Sequence, residues 1–402
     1  MERPAGFAAS HRQTDGSRRG RAEEALRRQQ PAGRLGARLA GNISSQNLDF
    51  KQGIVQQFNL NIEHQLPGSV VLTAGYAGSR STHILVDGLN LNVSSPKACP
   101  SGSNPVSGYT LGCGITAAPY GPFTTIANNN DVGRARYDSF QVKAETSSTR
   151  HGLYALLGYT YSRTFDSGLP DGLGSFPGAT YWPLPGTQKA DWALSQLNLN
   201  HQFTASVTYA LPFGKGKRFG SSWSGPVNGV LGNWEVDLIE RAISGFPLFV
   251  VDSNNGSGVA FSWNGNGLNR PDIVGDPHKA GPVAANPGCT APSQVHTLAN
   301  WFNPCAFVHN SLGELGNSNR APLYGPRYVN TDMSFIKHIP LPYESMQLDF
   351  RAEFFNIWNH PHFFMNGGPS GMQDVNASSS FGVVNATLND PRVIQFALKL
   401  KF

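Results

Sequence analysis

Several groupings in this sequence have residue types that could do chemistry. Asn359-His360-Pro361-His362 sets two imidazoles at i, i+2, the beginning of a metal site. A polar surface loop explains the same residues more simply, and no metal site is expected. Asp252-Ser253-Asn254-Asn255-Gly256 opens like a calcium loop, but the glutamate needed at the twelfth position is missing. His201 and Ser206 could serve as base and nucleophile of a surface hydrolase, yet on a strand they point to opposite faces. No nucleophile elbow, H-E-x-x-H, Walker or dinucleotide fingerprint stands in a fitting context. The expectation is a protein that is not an enzyme, with no catalytic, cofactor-binding or metal-binding residues. Two groupings remain. Asp349, Arg351 and Glu353 alternate along one segment and fall on one strand face as a ladder of charge. Four cysteines form two local pairs, Cys99 with Cys113 and Cys289 with Cys305, each in a Gly/Pro/Asn-rich stretch. An even number confined to loops, without C-x-x-C spacing, points to a disulfide within each pair and an oxidising compartment.

The elements that must position these residues read as strands. In Ile394–Phe402 the residues Ile394, Phe396, Leu398, Leu400 and Phe402 share one face, and Gln395, Ala397, Lys399 and Lys401 share the other. Apolar toward lipid, polar toward a lumen and aromatic at the water boundary is the pattern of a transmembrane β-barrel strand. The alternation recurs in Ile54–His64, Asp138–Ser148, Asn198–Ala210, Tyr328–His338 and Met346–Trp358. It is blurred but present in Ser69–Ser79, Gly152–Arg163 and Asn233–Val251, the last with a kink at Ser244-Gly245. That makes about nine antiparallel strands. Phe203, Phe350, Phe354, Phe396 and Leu398 should then face outward. Asp349, Arg351, Glu353, Gln395 and Lys399 should face the lumen. Tyr209, Trp234, Tyr343 and Trp358 sit at strand ends and read as an interfacial girdle.

The connections alternate in length. Gln65–Gly68, Thr149–His151, Leu211–Gly232 and Ile339–Glu344 make the short set. Arg80–Tyr137, Thr164–Leu197, Asp252–Arg327 and Asn359–Pro391 make the long set. Short periplasmic turns opposite long extracellular loops are what outer-membrane barrels show. Strand parity places the C-terminus on the short-turn side and both cysteine pairs on the long-loop side.

Composition agrees. Charged residues are 14% of the chain and there are 45 glycines. No apolar run approaches the roughly 18–20 residues of a membrane helix, which leaves strands free to span. The net charge of +5 resides in residues 1–40, and the remaining basic and acidic residues balance. The body is therefore not read as a nucleic-acid binder. Residues 1–44 read as a basic disordered tail not native to the domain, without the apolar core of a secretory signal.

Taken together, the ordered stretches resemble the barrel of TonB-dependent outer-membrane transporters of the Oar-like group. They are Val55–Gly68, Tyr137–Glu145, Leu211–Phe219, Ile243–Leu248, Leu268–Pro277, Trp301–Phe307, Leu348–Phe363 and Asn389–Phe402. The resemblance covers roughly residue 45 to the end, and residues 45–402 are read as the C-terminal part of such a barrel. It implies location in the outer membrane of a Gram-negative-type cell and energy-coupled uptake of a large nutrient, siderophore or glycan. It implies outer-membrane lipid, the barrel assembly machinery and the TonB energy-coupling complex as partners. The assembly machinery would read Ile394, Phe396, Leu398, Leu400 and Phe402 as its signal. Barrels of this group have about 22 strands around a plug. With about nine strands, no plug and two open edges, the chain is expected to be a fragment that is inactive in transport alone. The alternative is a soluble extracellular all-β module holding carbohydrate through loop aromatics such as Trp182 and Trp263.

Overall fold

The computed structural model describes residues 41–402, except 93–95, 98–113, 116–118, 121–122, 124, 149–151, 168–187, 254–268, 311–313, 343–345 and 366–371. The tail expected over residues 1–44 falls mostly outside the described residues, and Cys99, Cys113, Trp182, Trp263 and Tyr343 fall wholly outside.

One antiparallel sheet dominates. Its strands are β1 (Ile54–Leu66), β2 (Val70–Asn90), β3 (Thr125–Ser148), β4 (Leu153–Asp166) and β5 (His201–Ala210), followed by β6 (Trp234–Ile243), β7 (Tyr328–Pro340), β8 (Gln347–Phe355) and β9 (Val393–Lys401). Their order across the sheet is their order in the chain, so each strand pairs with its sequence neighbours. Nine strands in an up-and-down wall are what the alternation predicts, because the period of 2 fixes which face each residue takes. Register preserves the faces across the wall. Phe350 stands opposite Leu398, Ala352 opposite Phe396 and Phe354 opposite Ile394. Glu353 stands opposite Gln395, and Asp349 opposite Lys399.

The wall is open. Every residue of β1 is exposed, and β9 pairs only with β8.

Three details depart from the sequence reading. First, β2 and β3 run far beyond Ser79 and Asp138, into the segment read as a loop. At roughly 3.3 Å per residue, the 24 residues of β3 extend about 80 Å, well past an apolar band of ~25 Å. Register shifts between Ser81 and Leu89, with His83 at φ 56°, break the alternation there and hide the strand. Second, Leu211–Gly232 is not a tight turn, since it holds a helix at Gly225–Leu231 and a Phe213–Phe219 bridge. Third, β6 stops at Ile243 instead of reaching Val251. A Cβ on Gly245 would lie 1.8 Å from the Gly325 carbonyl oxygen, so the backbones cross where only glycine fits. A short strand at Asn42–Gln46, parallel to the start of β3, straddles the boundary expected at residue 44.

The buried core is not in the wall. It lies in the two long connections, β6–β7 and β8–β9, which fold together into a cap. Leu248, Val250, Phe302, Ala306, Phe307, Leu323, Met365 and Phe381 form one buried cluster. Phe302, Phe307 and Phe381 meet edge-on, with centroids 5.0–5.7 Å apart. Ladders of two residues tie the cap, such as Val250–Val251 with Gln373–Asp374 and Asp272–Ile273 with Phe307–Val308.

Candidate functional site: a polar wall face beneath a folded cap

The polar face of β6–β9 is built by alternation, and it brings together most of the charges the sequence singled out. Asp349 is its centre. Lys401 Nζ lies 2.6 Å from Asp349 Oδ2, and His338 Nδ1 lies 2.7 Å from Oδ1. Gln347 Nε2 donates to the same Oδ1 at 2.5 Å. His338 also approaches Glu235 at 3.7 Å through Nε2. Arg351 pairs with Glu353 at 3.2 Å. Lys399, directly opposite Asp349, leaves the ion pair to Lys401, and Gln395 stands opposite Glu353. His338, Gln347 and Glu235 were not singled out from the sequence, and Lys401 was placed on the polar face without a partner. Their signal was available, because β7 pairs antiparallel with β8 and sets His338 opposite Asp349.

The apolar face carries Phe203, Phe350, Phe354, Phe396 and Leu398, with Phe396 at 67% and Leu398 at 70% exposure. Phe396 and Lys399 take opposite faces, as do His201 and Ser206. Tyr209 and Trp234 lie at the turn end of this face. Trp358 lies at the loop end, where its indole N–H donates to Thr331 Oγ1 at 2.9 Å.

The cap closes on the wall's loop end through buried ion pairs. Arg270 reaches down to Asp191, donating also to the Ala190 carbonyl at 2.9 Å. Arg320 pairs with Asp166 at the tip of β4 and lies over the Phe249 ring. No local pattern announces these partners, since each pair joins residues far apart in sequence. Cys289 and Cys305 are bridged, with Cα atoms 5.6 Å apart. Asn303 caps the short helix Pro304–Ala306 by accepting from the Cys305 N–H, which fixes that half of the bridge.

Histidine and acid pairs within the cap are structural. His309 Nδ1 lies 2.9 Å from the buried Asp252, which also accepts from Asn376. His362 is 8% exposed and receives the Val329 N–H at Nδ1. Burial, then the neighbouring His360, hold its pKa below the usual imidazole value. Burial alone would raise Asp374, but hydrogen bonds from Ser253 and Asn376 outweigh it and leave its pKa lowered. Among the described residues no group of three or more His, Cys, Asp or Glu could hold a metal ion. No described helix is long and apolar enough to cross a membrane.

The chain matches the family described as outer membrane beta barrel domain over residues 5–395. The chain belongs to this family. It is an outer-membrane β-barrel protein, so the apolar face of the wall is its lipid face and the polar face lines the lumen. No curated protein matches it. Among the solved structures that are similar, two illustrate the likeness. One is the outer membrane transporter YddB from Escherichia coli, at 9% identity over 90% of this chain with a TM-score of 0.40. The other is the FrpB iron transporter from Neisseria meningitidis (F3-3 variant), at 10% identity over 90% of this chain with a TM-score of 0.37. The outer-membrane chain spans 35% of the first and 33% of the second, about a third of each.

Proposed function

We propose that this outer-membrane wall and cap belong to a TonB-dependent, Oar-like receptor for energy-coupled uptake of a large nutrient of the siderophore or glycan class. The carrying observation is the cap. Two long external connections fold around one core and lock onto the wall by Arg320–Asp166 and onto the connection between β4 and β5 by Arg270–Asp191. A folded, disulfide-tied surface above a polar lumen suits capture of a bulky solute better than free diffusion of small ones. The role is binding and passage, not catalysis. Two unpaired edges are not tolerated in lipid, so β1 and β9 require strand partners to complete a barrel. A plug domain and the TonB complex would supply the energy coupling that the wall cannot. The free edge of β9, with Ile394, Phe396, Leu398, Leu400 and Phe402 on its lipid face, is the edge offered to the barrel assembly machinery.

Uptake in the native host tests this reading. Labelled ferric siderophores and oligosaccharides should enter in a manner that requires both this gene and TonB. Uptake that persists without TonB would replace the reading with passive permeation.

A further inference from the structure

The lipid face of β1–β5 carries charge almost entirely at its loop end. Register sets Arg80 opposite Arg136, and Asp138 opposite Arg163. Arg134 takes the same face, two residues above Arg136. Four guanidiniums thus stand together on three adjacent strands. At the lipid-facing positions of these five strands the one carboxylate among the described residues is Asp138, for a net charge of +3. The next carboxylate on this face, Glu240 on β6, accepts from Thr331.

Asp138 is already shared. Arg80 Nη2 lies 2.7 Å from it, Arg136 Nε also reaches it, and the Tyr76 hydroxyl donates to it. Arg134 and Arg163 make no ion pair among the described residues and are exposed, and Arg136 is 53% exposed. Like charges directly opposite across a strand pair destabilise it. The sequence keeps Arg80 and Arg136 opposite each other with one carboxylate between them, which leaves the cluster a net positive charge that suits an anion from outside.

Its position says which anion. Phe58 stands level with Asp138 and Arg163, the next row down holds Leu60, Tyr76, Phe140 and Tyr161, and the row below that Ile62, Ala74, Val142 and Tyr159. The Arg80 guanidinium lies 5.2 Å from the Phe58 ring centroid. Cationic, then aromatic, then aliphatic is the layering of a membrane boundary on its external side. Planar guanidinium forks match phosphate oxygens two at a time, and several together match a headgroup with more than one phosphate. We propose that Arg80, Arg134, Arg136 and Arg163 bind the phosphate groups of an outer-leaflet phosphoglycolipid, while Tyr76 and Tyr161 meet the start of its acyl chains. The inference rests on the lipid-facing reading of the apolar face and is independent of what is transported.

The test uses the full chain in zwitterionic detergent, with bound lipid counted by native mass spectrometry. Diphosphorylated lipid A should bind at least tenfold more tightly than its dephosphorylated form. Arg136→Gln with Arg163→Gln should weaken diphosphorylated lipid A about tenfold, because both side chains are exposed and Asp138 keeps its pairing with Arg80. Lys215→Gln with Lys217→Gln, at the turn end, should bind as the parent does. Heat-modifiable migration on a gel reports whether each variant is folded. If the arginine variant misfolds, the two lipid forms on the parent protein still decide. Equal binding of both lipid forms, or full binding by a folded arginine variant, would overturn the proposal. So would saturation by inorganic phosphate at the lipid's own concentration, which would assign the site to a free anion. No solute or energy source enters this experiment, so its failure and a failure of the uptake reading are separate results.

Discussion

Leu398 in the wall and Phe302 in the cap are both large apolar side chains, yet the first is 70% exposed and the second 1%. The difference shows two solutions to the same problem. Leu398 is held in place by its strand, through backbone ladders to β8, and its burial is supplied by lipid. Phe302 is held by protein, against Phe307, Phe381 and the aliphatic side chains around them. Water would penalise the wall and leave the cap intact. The wall's specificity is periodic and local, whereas the cap's is a matter of fit between segments far apart in sequence. Variants can break one solution while sparing the other.

The largest effect is expected in the cap core. Phe302→Ala empties the centre of three edge-on rings and should cost about 3–5 kcal/mol. Limited proteolysis should then cut within residues 244–327 or 356–392, while heat-modifiable migration of the wall persists. If wall and cap melt together, they are one cooperative unit and the comparison fails. Next comes the bridge. Cys289 and Cys305 are separated by 16 residues, and a loop of that size is worth about 3 kcal/mol in the chain-entropy account. Cys289→Ser with Cys305→Ser should loosen the cap by that amount under oxidising conditions and do nothing under reducing ones. Dithiothreitol on the parent protein should reproduce the variant. Leu398→Arg acts on the other side of the comparison. An arginine facing lipid costs about 2–4 kcal/mol at mid-membrane and less near the interface. Leu398 stands near the turn end of β9, so a cost at the lower end of that span is expected, read as a lower urea midpoint in bilayers. The same change in detergent should matter less, and proteolysis of the cap should not change.

The same contrast explains what could be read from the sequence. Six wall strands were plainly legible because a period of 2 is written in consecutive residues, and Phe350, Phe396 and Asp349 each announce their faces, whereas the period is blurred in the other three. The legible part ends where the period does. Bulges around His83 hid the upper half of β2, and the backbone crossing at Gly245 ended β6 early. The polar network was half legible, since Asp349 was visible but its partners His338 and Lys401 come from neighbouring strands. Loop lengths placed the cap's segments on one end, yet nothing local says that Leu248 meets Met365 or that Arg320 meets Asp166. Those contacts join connections whose residues follow no repeat.

The smallest effect sharpens the boundary between the regions. His362 sits where the cap meets β7, accepting the Val329 N–H, with its Nε2 buried and without a partner. Burial and the nearby His360 lower its pKa below 6.5, so the folded protein resists a proton that the unfolded chain accepts. The sign follows from linkage. A group whose folded pKa is lowered contributes its full share above the unfolded value, and that share is lost as pH falls through the folded one. Between pH 7 and 5 the cap should therefore lose stability, while the lipid-facing wall stays as it is. Asp374, also lowered, takes part only at lower pH, below the ordinary carboxylate value of 3.8. Trp301 packs against the cap core and offers a local fluorescence signal for the cap transition. His362→Phe keeps an aromatic ring beside Tyr328, whose centroid lies 4.6 Å from that of His362, and removes the titration. In that variant the slope of cap stability against pH should flatten between pH 7 and 5. An unchanged slope would move the acid sensitivity to another group and leave the junction a matter of packing alone.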